Sequence, residues 1–235
     1  MITSASNERL KRIRHLQSRR WRRKLGMFVA EGEDLVEAGL AAGLEPVDLL
    51  RAGEDVEPEL LAGLSTLPHP PRAIGVFRTD DLPRLEPSRS LPLGIALWHV
   101  SDPGNVGTLM RAADAFGPAF VAVSQGCADP TGPKALRASA GAIFRVPTGR
   151  FDEAPGTKVG LVADGGTPLL EVELAEQTTF VLGAEREGLP DDVLTRCDVL
   201  ATIPQTGGAE SLNVAMAGSI ALYERSRRVF SDLAR

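Results

Sequence analysis

Apolar residues recur along the second half of the chain in five short runs that lack polar alternation. The runs are LGIALWHV (93–100), AFVAVS (119–124), KVGLVAD (158–164), TTFVLGA (178–184) and DVLATIP (198–204). Helical patterns lie between and after them, at 105–117, 133–141, 190–196 and 211–228. Runs of this kind are typical of strands buried on both faces. Their alternation with helices predicts a doubly wound α/β domain with a parallel sheet.

The first 80 residues predict a smaller α/β unit. Leu10, Ile13, Leu16 and Trp21 are spaced roughly as one face of a helix. Further along, 27–32 predicts a strand, 33–43 a helix, and 46–50 and 73–77 two more strands. Proline and charged residues then crowd TDDLPRLEPSRSLP (79–92). We therefore expect a domain at 1–80, a linker at 81–91 and a second domain at 92–235.

Charge is distributed unevenly along the chain. The net charge of −5 argues against a nucleic-acid partner, but the first 30 residues hold nine basic residues and one acid, Glu8, a net charge of +8. Because salt confines each charge to about 10 Å, a local patch decides contacts with phosphates. A solvated charged helix is the alternative interpretation. The residues expected to contact nucleic acid are Arg9, Lys11, Arg12, Arg19, Arg20, Arg22 and Arg23.

The first residues, the lengths of the apolar segments and the cysteines argue against several classes of protein. The first 20 residues lack the apolar stretch of a signal peptide, and no segment approaches the roughly 18 apolar residues of a membrane-spanning helix. Cys127 and Cys197 fit no metal-binding spacing. We expect a cytoplasmic protein with no metal and no membrane partner.

Three loops at the predicted carboxyl ends of strands carry the candidate chemistry. They are DPGNVG (102–107), GAEREGLP (183–190) and PQTGGAESLN (204–213), and this edge of a parallel sheet is where ligands bind. We expect Asn105 to cap a helix that also carries Arg111, and Ser211 to cap the last helix with Asn213 in its first turn. Each loop alone is also explained by turns, caps and solvated charge.

Together these loops resemble the SpoU, or TrmH-like, branch of the knotted RNA methyltransferases. The similar segments are DPGNVGTLMRAADAFG (102–117), PKALRASAGAIFRVP (133–147), FVLGAEREGLP (180–190) and IPQTGGAESLNVAMAGSIALYE (203–224). Residues 9–40 are similar, more loosely, to the L30e-like substrate-binding domain that many members carry. One departure is Gln205, where an apolar residue is commoner.

The resemblance implies a trefoil knot in the carboxyl-terminal domain, S-adenosylmethionine as cofactor, and a homodimer with its active site between subunits. It implies methylation of an RNA ribose 2′-hydroxyl, and the extra amino-terminal domain favours 23S rRNA over tRNA. The implied catalytic residues are Asn105, Arg111, Glu185, Ser211 and Asn213. The implied cofactor contacts, largely through backbone, are Gly183, Ile203 and Leu212.

Arginine stays protonated at neutral pH, so we expect Arg111 to bind a phosphate and stabilise an alkoxide rather than to act as a base. The alternatives are a tRNA ribose, a tRNA base nitrogen, an antibiotic site on large rRNA methylated for self-protection, and a non-catalytic RNA-binding protein. The Asn105–Arg111 pair and the Ser-Leu-Asn segment (211–213) favour ribose over a base. Intact polar residues at all five positions favour an enzyme.

Overall fold

The amino-terminal part is a three-stranded antiparallel sheet with helices packed against it. A computed structural model describes residues 1–86, 91–207 and 211–233 of the chain. The elements of the first part are α1 (Glu8–Leu16), α2 (Arg19–Leu25), β1 (Met27–Glu31), α3 (Glu33–Ala41), β2 (Asp48–Arg51), α4 (Pro58–Ala62) and β3 (Ala73–Arg78). The strand order is β1-β3-β2. The predicted strands and α3 are therefore present within a few residues.

The predicted single helical face of this part is interrupted. Leu10, Ile13 and Leu16 are buried on α1 as expected, but the chain turns after Leu16 and starts a second helix at Arg19. Gly26, in the left-handed conformation, ends that helix. Trp21 lies on α2, half-buried, so it does not continue the face of α1.

The carboxyl-terminal part is a seven-stranded sheet whose pairs are all parallel. Its elements are β4 (Leu93–Leu97), α5 (Pro103–Phe116), β5 (Ala119–Val123), α6 (Pro133–Ser139), β6 (Thr148–Arg150), β7 (Thr157–Leu161), β8 (Thr167–Pro168), β9 (Thr178–Leu182), α7 (Asp191–Leu194), β10 (Val199–Thr202) and α8 (Val214–Leu233). The five predicted strands are present, and β6 and β8 are additional. The predicted α/β class is confirmed, whereas the trefoil knot stays a prediction.

The strand order is β6-β5-β4-β9-β7-β10-β8. All strands are parallel, but the order in which the chain adds them reverses between β4 and β9. From β4 the chain adds β5 and β6 on one side, while β9 and its neighbours lie on the other. The two strands at this reversal, β4 and β9, are buried along their whole length. Loops that leave two strands at such a reversal separate and open a crevice, which is where doubly wound sheets bind ligands.

The two parts share one hydrophobic core. The rings of Phe28 and Phe77 from the antiparallel sheet pack on Phe144, with centroids 5.6–6.1 Å apart. Glycines allow this approach: a Cβ at Gly39 would lie 3.1 Å from the Phe144 ring, and one at Gly141 would lie 2.6 Å from the Cβ of Ala38. The division at 81–91 stays a prediction, because apolar packing is continuous across it.

Candidate functional site

The helix after β4 begins earlier than the sequence indicated. Asp102, not Asn105, is its N-cap: Asp102 Oδ1 accepts hydrogen bonds from the backbone N–H groups of Gly104 (2.6 Å) and Asn105 (3.2 Å). Pro103 occupies the first helical turn, a position that suits its fixed φ. Lys134 Nζ donates to Asp102 Oδ2 at 3.0 Å, and this bond lowers the pKa of the carboxyl group. The Asn105 side chain is therefore free of capping.

Asn105 joins the three loops at the reversal of the sheet. Its Nδ2 donates to Glu185 Oε1 at 2.9 Å, and its Oδ1 accepts a bond of 3.2 Å from Asn213 Nδ2. Glu185 follows β9 and Asn213 precedes α8, so three segments distant in sequence meet in one chain of hydrogen bonds. This geometry fixes the orientation of both amides, which have a donor and an acceptor each.

Asn213 also caps the last helix, a role predicted for Ser211. Its Oδ1 accepts from the backbone N–H groups of Ala215 (2.9 Å) and Met216 (3.3 Å), and α8 begins at Val214 rather than at residue 211. Both caps were therefore predicted at the wrong residue: Asn105 instead of Asp102, and Ser211 instead of Asn213. Asn213 is polar at the start of an apolar run because it caps the helix and also bonds to Asn105.

A cavity of about 320 Å³ lies beside this chain of hydrogen bonds. Its walls come from the ends of β7, β9 and β10 and from the start of α8. The predicted site residues among its lining are Gly183, Glu185, Ile203, Ser211, Leu212 and Asn213. Gln205 also lines it. Cavities of this size are typical of small-molecule sites.

The loop after β9 shapes one wall of the cavity. A Cβ at Gly183 would collide with the backbone of Gly188, so only glycine fits there. Ala184 and Gly188 exchange two backbone hydrogen bonds of 3.1 and 3.0 Å, which closes the intervening residues into a tight turn. Glu185 lies in this turn, and its carboxylate reaches Asn105 while the residue remains exposed.

Arg111 does not join the other predicted residues. It lies on the exposed side of α5. Six residues at about 100° each place it about 120° around the helix from Asn105. Among the residues that the structure describes, it forms no hydrogen bond or ion pair with Asn105 or Glu185. Asn105 and Glu185 bond to each other instead.

The basic amino-terminal residues divide into three groups. Lys11, Arg19, Arg20 and Arg23 are exposed. Arg9 and Arg12 pair with Asp48, at 2.6 and 2.7 Å, while keeping more than a third of their side-chain surface exposed. Arg22 is buried, which removes it from the residues predicted to contact RNA.

Arg22 instead connects the two parts of the chain. Its Nη2 and Nε donate to Asp129 Oδ2 at 2.6 and 3.0 Å, and its Nη1 donates to the carbonyl oxygens of Leu16 and Gln17, both at 3.0 Å. Asp129 lies in the loop after β5, 107 residues further along. No motif or spacing marked Asp129, so sequence reasoning had no signal for this pair.

Two kinds of feature are absent from the part of the chain that the structure describes. No cluster of histidine, cysteine or acidic residues suited to a metal ion occurs in the described ranges 1–86, 91–207 and 211–233. Within those ranges, too, every helix is too short or too polar to cross a membrane.

Comparison with known proteins gives two family matches. Residues 92–223 match the model of the SpoU rRNA Methylase family. Residues 7–71 match the model of the MRM3-like substrate binding domain.

Three relatives match this chain over nearly its whole length. The 23S rRNA (guanosine(2553)-2'-O)-methyltransferase RlmP of Bacillus subtilis is 32% identical, over 94% of this chain and 97% of that protein. The AdoMet-bound rRNA methyltransferase from Sinorhizobium meliloti superposes with a TM-score of 0.86 at 28% identity, covering 97% of each chain. The SpoU methyltransferase AviRb from Streptomyces viridochromogenes, in complex with AdoMet, gives 0.82 at 27% identity over 96% of this chain and 99% of that one.

Proposed function

The chain belongs to the SpoU rRNA methylase family, and we propose that it methylates a ribose 2′-hydroxyl of rRNA with S-adenosylmethionine as donor. The observation that carries this proposal is the chain of hydrogen bonds from Glu185 through Asn105 to Asn213. It lies on the rim of the cavity at the reversal of the sheet, where a cofactor and a substrate could meet.

The cavity fits S-adenosylmethionine in size and chemistry. Leu161, Leu182, Ile203 and Leu212 supply apolar walls for a flat base. Gly183 lines the cavity with backbone alone, and Glu185 supplies negative charge for a cationic ligand. The bound cofactor supplies an electrophilic methyl group on a positively charged sulfur. We infer that Gly183, Ile203 and Leu212 hold it.

The chain's own polar residues would position the nucleophile. A ribose hydroxyl attacks only when its proton is removed or hydrogen-bonded away, and correct placement contributes several kcal/mol to such a reaction. Asn105 and Asn213, held in fixed orientation by their mutual bond, would orient the ribose, with Glu185 fixing Asn105. Ser211 would contact ligand or substrate from the cavity wall. Arg111 would bind the adjacent phosphate and stabilise the alkoxide.

A homodimer would complete this site, as the exposed side of α8 and the position of Arg111 suggest. Met216, Ile220 and Tyr223, at helical spacings of four and three, leave 56%, 38% and 52% of their surface exposed. Large apolar side chains in one such row are typical of a subunit interface. Arg111, on the exposed side of the neighbouring helix α5, could then act in the partner's site. The trefoil knot and a cytoplasmic location belong to this same proposal.

RNA from the large ribosomal subunit is the proposed substrate. RlmP acts on 23S rRNA, and the Sinorhizobium meliloti structure is of an rRNA methyltransferase. Both match nearly the whole of this chain, including the amino-terminal part, which a substrate-binding domain model also matches. The exposed cations of α1 and α2 support binding through phosphates, which weakens as salt rises.

The test uses methyl-labelled S-adenosylmethionine and unmodified total RNA, followed by nuclease digestion and nucleoside mass spectrometry. Label on a 2′-O-methyl nucleoside of large rRNA is the expected result. Label on a tRNA ribose would show that the substrate is tRNA and not rRNA. Label on a base would refute both the ribose hydroxyl as methyl acceptor and the proposed role of Arg111. Cofactor binding without transfer to any RNA would favour the non-catalytic alternative.

A further inference from the structure

An aromatic stack lies on the surface of the basic helices. The rings of His15, on α1, and Trp21, on α2, are 4.4 Å apart between centroids and only 8° from parallel. Lys24 Nζ lies 4.6 Å from the centroid of Trp21. His15 is exposed and Trp21 is half-buried, so His15 forms the outer side of the stack.

The surroundings of the stack are cationic. The exposed basic side chains of α1 and α2 are Lys11, Arg14, Arg19, Arg20, Arg23 and Lys24. The one acid of these helices, Glu8, is bonded to Lys11 at 2.7 Å. A flat aromatic surface beside several cations provides what an unpaired nucleotide needs, since the base stacks on the ring while the phosphates meet the charges.

A series of contacts connects the helix of the stack to the proposed reaction site. Arg22, next to Trp21 in sequence, is bound to Asp129. Asp129 and Lys134 are five residues apart, and an extended chain of that length spans at most about 18 Å. Lys134 in turn contacts Asp102, which caps the helix of Asn105. These contacts connect α2, which carries Trp21, to the start of α5, which carries Asn105.

We propose that His15 and Trp21 form a stacking site for an unpaired base of the RNA substrate. The proposal rests on the proposed function, because it assumes that the substrate is RNA. It adds a chemical requirement that phosphate contacts cannot impose: the RNA must present an unstacked base. A fully paired duplex of equal charge would bind through the cations alone.

Tryptophan fluorescence tests this directly, because the chain holds only two tryptophans. In a Trp98→Phe variant, Trp21 is the single reporter. It is titrated with a hairpin that has an unpaired purine loop and with a fully paired duplex containing the same number of phosphates. Fluorescence anisotropy of labelled RNA confirms that each is bound. The base stacks on His15, one ring away from Trp21, so we expect the hairpin to change Trp21 fluorescence more than the duplex does. Equal changes with the bound hairpin and the bound duplex overturn the proposal.

Variants of His15 separate stacking from charge. His15→Ala removes the outer ring, and should raise the KM for RNA about tenfold, the value of one base stacked on an aromatic ring, with kcat unchanged. His15→Phe restores a ring without a charge and should restore the KM. The matched control is Arg14→Ala, which should weaken hairpin and duplex equally. Identical behaviour of the alanine and phenylalanine variants would refute stacking.

The two proposals can fail separately. If no RNA accepts label from the unaltered protein, the proposed function is wrong, whatever the fluorescence shows. If rRNA is methylated normally by His15→Ala at low RNA concentration, the stacking site is wrong and the proposed function stands.

Discussion

Replacing Arg22 by alanine should destabilise the protein far more than replacing any neighbouring arginine. The side chains of Arg22 and Asp129 are only 7% and 17% exposed. Removal of Arg22 leaves a buried carboxylate without its cation and takes the donor from the carbonyl oxygens of Leu16 and Gln17. Breaking a buried pair in this way costs about 3–5 kcal/mol.

The lower end of that range applies here, because Asp129 keeps partners after the change. Thr131 donates to Asp129 Oδ1 through its hydroxyl (2.7 Å) and its backbone N–H (3.0 Å). We therefore expect a loss of about 3 kcal/mol. With a urea m-value of about 3 kcal/mol/M, the unfolding midpoint should fall by about 1 M.

Urea unfolding followed by circular dichroism measures this, with Arg23→Ala as the matched control. Arg23 is exposed on the same helix, and surface substitutions of this kind usually change stability by less than about 0.5 kcal/mol. Equal midpoints for the two variants would refute the assignment of Arg22 as a buried connection. A double variant, Arg22→Met with Asp129→Leu, should recover part of the loss, because no buried charge remains while the carbonyl oxygens of Leu16 and Gln17 still lack this donor.

The pH dependence gives an independent check. Burial raises the pKa of Asp129, but hydrogen bonds from Thr131 and Arg22 and the charge of Arg22 outweigh it, so the folded-state pKa is lowered. A lowered pKa contributes stability above the unfolded-state value of about 4, and that contribution is lost as the pH falls through the folded-state pKa. The difference between the unaltered protein and Arg22→Ala should therefore be full at pH 7 and shrink below pH 4.

Three further predictions concern the proposed active site. Arg111→Ala should abolish methyl transfer while calorimetry shows an almost unchanged Kd for S-adenosylmethionine; near-normal turnover would exclude Arg111 from the chemistry. Gly183→Ala should raise that Kd at least tenfold, because its Cβ would collide with Gly188; normal affinity would contradict a wall at this position. Asn213→Ala should cost about 1 kcal/mol as a lost helix cap and should also lower kcat, whereas Asn213→Asp should keep the cap in thermal unfolding without restoring kcat.

The sheet was predictable wherever its strands were long and apolar. The runs that became β4, β5, β7, β9 and β10 have no polar alternation, because helices and loops cover both faces. β6 and β8 are three and two residues long, and their residues are only partly buried. Edge strands of this length carry no periodic signal, since their pairing depends on the neighbouring strand and not on their own composition.

The helix starts show why residue types were easier to predict than their roles. Two residues of capping type stand in the first loop, Asp102 and Asn105, and two in the last, Ser211 and Asn213; Asn105 and Ser211 were the predicted caps. Pro103 was a usable signal for Asp102, because proline favours the first helical position. Nothing local distinguished Ser211 from Asn213, since Asn213 is fixed by a hydrogen bond that it donates to Asn105, 108 residues earlier in the chain.

The basic segment illustrates the same limit for charge. Four residues of one type stand in this segment: Arg19, Arg20, Arg22 and Arg23. Arg22 is the buried one, and its partners are Asp129 and the carbonyl oxygens of Leu16 and Gln17. The burial of Arg22 has a functional consequence. Because its charge is paired with Asp129, Arg22 adds nothing to RNA affinity, but it fixes the position of the exposed charges on α2. With screening over about 10 Å, cations act only on the phosphates they can reach. The choice of RNA by this protein should then depend on how α2 is placed beside the site more than on how many arginines it carries.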